Sequence, residues 1–228
     1  MATHARADHD DPDVELTVLP RYAVQLPFEL PLPAGFDPGR PETWPRVTGR
    51  TEYVGGRLLY MPPCGDEPQG VATDIVTELN VWRRQHGEFF VGGNEAGMML
   101  AGDVRGADAA VWRRADVLPL TGDFPRTAPV LAVEVAGRED TVEALEQKAR
   151  WYLDHGVEVV WIAIPRTRTV RVCTRDGASE HSAGGTTTAS SFAPRTLPKR
   201  RRSLFAAAAS HCDVTPLDCK QGRVADVG

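Results

Sequence analysis

The chain has almost no lysine. Three lysines, Lys148, Lys199 and Lys220, stand among 26 basic residues, so arginine carries nearly all of the positive charge. That charge is not in surplus: 26 basic against 31 acidic residues leaves a net −5, without the global basic footprint of a typical DNA binder. A nuclease is still allowed, because metal-binding carboxylates add negative charge. The four cysteines, Cys64, Cys173, Cys212 and Cys219, make no Cys-x-x-Cys pair. This argues against a structural zinc, and their scatter fits a reducing cytosol. The N-terminal MATHARADHDDPD has no apolar core and does not read as a secretion signal. No uninterrupted apolar run is long enough to span a bilayer. The expectation is a cytoplasmic protein with no membrane association.

What is present is ordinary for a globular domain: 42% hydrophobic and 25% charged residues over 228 positions, enough for one core plus tails. Residues 1–46 carry prolines too often for a helix and read as an extended arm, packed on the body through Phe28, Leu30, Phe36 and Trp44. The core is expected over 47–175. TEYVGGRLLYMPP reads as a hairpin turning at Gly55-Gly56. From Gln69, Val71, Ile75, Leu79 and Trp82 recur at helical spacing, and Gly87 closes that helix. Glu88–Val91, Gly97–Leu100 and Ala107–Trp112 read as short strands. Val130–Val135 reads as a central strand. A second helix follows, with Asp140 as its cap, Glu143 three residues on, and Gly156 at its end. Val157–Ile164 and Thr169–Thr174 complete the pattern. Residues 176–228 are rich in small residues and read as a low-complexity, poorly ordered tail. The order implies an α/β fold, a curved mixed sheet flanked by helices.

Three residues stand out chemically. Asp108 interrupts a strand of Ala, Ala, Val and Trp, where a carboxylate is costly to bury unless a cation or hydrogen bonds compensate it. Glu134 lies inside the most apolar run of the chain, on one strand face with Ala132, while Val133 and Val135 face the other way. Such a charge pairs with a cation, most simply an arginine, or binds a metal. Lys148 is the lone lysine of the core. Against the arginine bias it suggests work for a compact point charge that guanidinium cannot do. On the helical wheel Val142, Leu145, Ala149 and Tyr152 make the buried stripe. Lys148 lies at its edge, where the stem can follow the core and the head can reach the sheet. Two carboxylates and a nearby lysine suit phosphodiester hydrolysis. The carboxylates would hold Mg²⁺ or Mn²⁺, and the lysine would orient water or stabilise developing charge.

From Glu52 to Val172 the chain resembles the Uma-two family, within the PD-(D/E)xK restriction-endonuclease-like superfamily. EYVGGRLLYMPP is similar to the family's opening hairpin. Arg105-Gly106-Ala107-Asp108 stands at its Pro-Asp step, and Val133-Glu134-Val135 at its Val-Glu-Val strand. Lys148, Tyr152, Gly156-Val157 and Trp161 fall at its spacing for Lys, Tyr, Gly-Val and Trp. The resemblance implies a restriction-endonuclease-like core, catalytic Asp108, Glu134 and Lys148, metal-binding Asp108 and Glu134, and DNA as substrate. Ala136 stands where Glu-x-Lys motifs have their lysine, so the resemblance implies a migrated lysine, Lys148. Pro68 replaces a histidine often found before Gln69. Glu52 matches an acidic position and is a candidate helper. The tail after Asp176 does not resemble the family's closing strands, as a frameshift near Gly177 or an extension would explain.

Lys199, Arg200, Arg201 and Arg202 form a basic cluster that could track a phosphate backbone or simply be solvated. The expected function is a Mg²⁺-dependent endodeoxyribonuclease. Its rivals are a catalytically inactive binding module on the same fold and a hydrolase of a small phosphate ester. A homodimer would suit a double-strand cutter, although no residue fixes one.

Overall fold

The fold was obtained as a computed structural model, which describes residues 26–182 apart from Glu139. Nine strands form one large, curved, unclosed mixed sheet with three α-helices. β1 (Phe28–Leu30), β2 (Arg50–Val54) and β3 (Arg57–Met61) form one antiparallel arm, and the β2–β3 turn is Gly55-Gly56, both at positive φ. α1 (Asp66–Arg83) follows, then the long pair β4 (Phe89–Leu100) and β5 (Asp103–Arg113). α2 (Arg114–Val117) leads into a loop. β6 (Leu131–Val135), α3 (Val142–Asp154) and β7 (Val159–Ile164) make a parallel crossover unit, and β8 (Thr169–Thr174) and β9 (Gly177–Ser182) close the sheet antiparallel.

The side-chain alternation expected at β6 sorts the core into two layers. Leu131, Val133 and Val135 pack with Leu79 and Trp82 of α1 on one face. Ala132 packs with Leu145, Ala149, Tyr152 and Leu153 of α3 on the other. Glu134 therefore points toward α3, out of an otherwise fully buried strand.

The sheet forks at β5. One edge of β5 pairs with β4 along its whole length. The other edge pairs with β2 at Val104 and with β6 at Ala109–Val111. Arg105–Asp108 lies between the two partners, so its backbone groups on that edge are left to side chains. β4 adds a bulge at the same level. Gly93 is opposite Ala109 and Ala96 is opposite Ala107, so positions 94 and 95 together face Asp108.

Several sequence expectations need correction. β4 is one strand and not two, because Gly92 and Gly93 stay paired with β5 and the irregularity is confined to a bulge at positions 94 and 95 rather than a loop. α1 begins at Asp66, since Pro68 falls in the first turn, where a missing N–H costs nothing. The cap of α3 is Thr141, whose hydroxyl accepts from Ala144 N at 3.2 Å; Asp140 instead accepts from Gly137 N. β9 extends the sheet to Ser182 through a full ladder with β8. Residues 183–228 lie outside the described residues. Of the arm, Phe36 packs on Tyr53 and Trp44, and Trp44 packs on Phe124. No helix among the described residues is long and apolar enough to cross a membrane.

Loss of the Thr141 hydroxyl leaves a first-turn N–H of α3 unsatisfied. Thr141→Ala is expected to lower stability by about 1 kcal/mol in urea unfolding, and Thr141→Ser to restore most of it.

Candidate functional site

Four elements meet at the fork. Glu52 comes from β2, Asp108 from β5, Glu134 from β6 and Lys148 from α3. Continuing the β5–β6 register by one residue past Ala109–Val133 sets Asp108 directly across from Glu134. Such cross-strand neighbours have Cβ atoms about 5 Å apart. The Asp108 carboxylate takes over where the ladder stops, accepting from Val135 N at 2.6 Å through Oδ2.

Lys148 is the joint of the site. Its ammonium donates to Glu52 Oε1 at 2.8 Å, to Gly106 O at 2.9 Å and to Glu134 Oε2 at 3.1 Å. An ammonium has three protons, so all are used. Gly106 N donates to the same Glu52 Oε1 at 3.2 Å. The two backbone groups of Gly106 that lack a strand partner are thus satisfied by Lys148 and Glu52. One turn further along α3, Tyr152 donates its hydroxyl to Glu134 Oε1 at 2.9 Å. The (i, i+4) spacing of Lys148 and Tyr152 puts both groups on the helix face that looks at the sheet.

Two carboxylates share this one ammonium, and they behave differently. Glu52 is buried, which works against ionisation, but the Lys148 charge wins and its pKa falls below 4.5. Glu134 is also buried, and Asp108 and Glu52 crowd it with like charge. Lys148 offsets this only in part, so its pKa rises from 4.5 to about 7. Burial opposes the Lys148 charge as well, yet Glu134 and Glu52 outweigh it and hold the ammonium protonated, above its ordinary range. Tyr152 is pushed up by burial and by Glu134, so its phenol stays a donor.

The exposed rim holds two residues that sequence reasoning missed. Arg50 Nη1 bonds Glu95 Oε1 and Oε2 at 3.0 and 3.1 Å and lies 3.8 Å from Asp108 Oδ1. The strand repeat was the available signal for Arg50, which is two residues from Glu52 and shares its face. For Glu95 it was an acid among Gly92, Gly93 and Gly97, a composition that marks a bulge. Side-chain exposure falls from 35% at Glu95 and 28% at Arg50 to 14% at Asp108 and 5% at Glu134. The site therefore opens on the Arg50–Glu95 side. Arg105 lies at the opposite flank, its guanidinium 4.5 Å from the Trp151 ring centroid.

Among the described residues, no group of three or more His, Cys, Asp and Glu side chains is arranged to hold a metal ion. The donors here are two oxygen ligands, Asp108 and Glu134. That set fits Mg²⁺, which is commonly held by one or two carboxylates and keeps several waters. Burial first, and then the like charges of Asp108 and Glu52, raise the Glu134 pKa, and a divalent cation would offset both. Asp108, Glu134, Lys148 and Glu52 are thus brought together, while Lys199, Arg200, Arg201 and Arg202 lie outside the described residues.

A family model described as "Uma2: Putative restriction endonuclease" matches residues 42–202. The match runs past Val172, where the sequence resemblance was expected to end. Among solved structures, the chain is similar to a protein from Anabaena variabilis described as "a putative nuclease belonging to DUF820", with a TM-score of 0.57 and 14% identity. The likeness covers 73% of this chain and 96% of that one. At this identity it speaks for the fold alone. No curated protein matches the chain.

Glu134 gives the metal-free protein a signed pH dependence. Between about pH 4.5 and 7 the folded protein keeps a proton that the unfolded chain has released, so this contribution to stability is full below 4.5 and is lost as pH rises through 7. In EDTA, urea unfolding should show stability falling over that window by at most about 1.4 kcal/mol per pH unit. Glu134→Gln should flatten the slope.

Proposed function

The chain belongs to the Uma2 family of restriction-endonuclease-like nucleases, and from that premise we propose that it is a metal-dependent endonuclease hydrolysing DNA phosphodiester bonds. The observation that carries the reading is the Asp108–Glu134 pair on adjacent strands with the Lys148 ammonium bonded to Glu134. Asp108 and Glu134 would hold Mg²⁺ or Mn²⁺, which when bound supplies an activated water and neutralises charge on the scissile phosphate.

The side chains divide the remaining work. Lys148 is held too firmly protonated to act as a base, so its contribution is a fixed positive charge at the reacting phosphate. Its bond to Glu134 is the longest of its three and would be the first exchanged for a water or phosphate oxygen. Glu52 and the Gly106 carbonyl anchor the ammonium from behind during that exchange. Tyr152 fixes the plane of the Glu134 carboxylate through Oε1, while Oε2 accepts from Lys148.

A second reading, a catalytically inactive binding module on the same fold, draws on Arg50. Its guanidinium sits 3.8 Å from Asp108 Oδ1 and could act as a permanent counter-ion in place of a metal. Cleavage of supercoiled and linear DNA in Mg²⁺ or Mn²⁺, with EDTA as control, separates the two. The wild-type protein is expected to cleave. Glu134→Gln and Asp108→Asn should lose roughly a hundredfold or more while keeping the wild-type circular dichroism spectrum, and Lys148→Met should fall in the same range. Undiminished cleavage by Glu134→Gln would remove the assignment; a metal-independent, purely binding wild type would favour the module.

A further inference from the structure

Arg50 and Glu95 sit at the open side of the site, and the mechanism above gives neither of them a task. Their arrangement is costly. The Arg50 Nε is buried without a hydrogen-bond partner. Glu95 occupies the left-handed region at φ +60°, which a residue with a side chain rarely adopts. The second cost falls at the β4 bulge, whose extra residue places position 95 opposite Asp108. The charged groups around the Arg50 guanidinium are Glu95, Asp108 and Glu134, with Lys148 as the opposing cation.

An arginine this near an aspartate ordinarily closes onto it in a bidentate pair. Here it stops at 3.8 Å, because Nη1 is committed to both oxygens of Glu95. We propose that Glu95 is a positioning residue that holds the Arg50 guanidinium off Asp108 and so keeps Asp108 Oδ1 open to the divalent cation. The inference rests on the metal-dependent reading given above. Glu95 itself is no ligand in this scheme, since its carboxylate is spent on Arg50. Without it, Arg50 would settle on Asp108 and compete with the cation as a charge that is always present.

Mn²⁺ titration calorimetry of the full chain, without DNA, tests this independently of cleavage. Glu95→Gln is expected to weaken Mn²⁺ binding by about tenfold or more, Arg50→Met to bind at least as tightly as wild type, and the double variant to return to about the wild-type affinity. The diagnostic result is non-additivity: the double variant recovers more than the gain that Arg50→Met shows alone, which independent charge, metal-ligating or packing effects of Glu95 do not produce. Glu95→Asp, which keeps the charge but shortens the reach, should fall in between and serves if Glu95→Gln does not fold. Wild-type affinity in Glu95→Gln, or a double variant as weak as Glu95→Gln, overturns the inference while leaving the metal site standing. Absence of Mn²⁺ binding in the wild type overturns both.

Discussion

A single buried ammonium ties this fold to its site. The three protons of Lys148 reach an acceptor on β2, a backbone carbonyl on β5 and an acceptor on β6. The lysine is carried by the helix that covers one face of the sheet. The sheet forks at that level, and the fork leaves both a donor and an acceptor of Gly106 without a strand partner. A guanidinium could not replace the ammonium there, being planar and too broad for three acceptors gathered round one point. In a chain whose other described basic side chains are arginine or histidine, the exception marks the one position where the geometry of the charge decides.

The site carries more negative than positive charge, and the two glutamates show how the imbalance is divided. Glu52 takes the ammonium and stays ionised, whereas Glu134 is left with Asp108 as its neighbour and is poised near neutrality. Replacing the lysine with an apolar residue would leave two buried carboxylates without their countercharge, with one hydrogen bond each from Gly106 N and the Tyr152 hydroxyl, a larger penalty than the ion pairs themselves are worth. The cluster is thus expensive as architecture, and the expense has a purpose only if a cation or a substrate completes it.

Much of this was legible beforehand, and the reason differs from residue to residue. Glu134 was visible because a charge in a run of apolar residues has no innocent place to go. Lys148 was visible through codon-scale bias and the helical wheel, and the structure puts it at the stripe edge where the wheel placed it. Glu52 was a candidate helper through the family resemblance alone, since nothing local reveals that the sheet divides beside it. Arg50 and Glu95 were missed because their meaning is wholly long-range: 45 residues separate them, and a bulge has to redirect one toward the other. Thr141 displaced Asp140 as a cap because both are good caps and the register of a helix start is decided by one residue. β9 was not legible as a strand because it is polar and exposed, without an alternating apolar signature.

The fork has a mechanical side. The arm of β1, β2 and β3 meets β5 at one register pair, Tyr53 with Val104, so backbone pairing alone holds it weakly. Side chains supplement that pair in two ways. Some contacts are ionic, Glu52 to Lys148 and Arg50 to Glu95; others are aromatic, running from Tyr53 through Phe36 and Trp44 to Phe124. They answer differently to conditions, because apolar contacts strengthen in salting-out electrolytes whereas charge pairs weaken on protonation or screening. The join between arm and sheet therefore has a side sensitive to screening and protonation, at Arg50 and Glu52, and a side indifferent to both, at the rings of Phe36 and Tyr53.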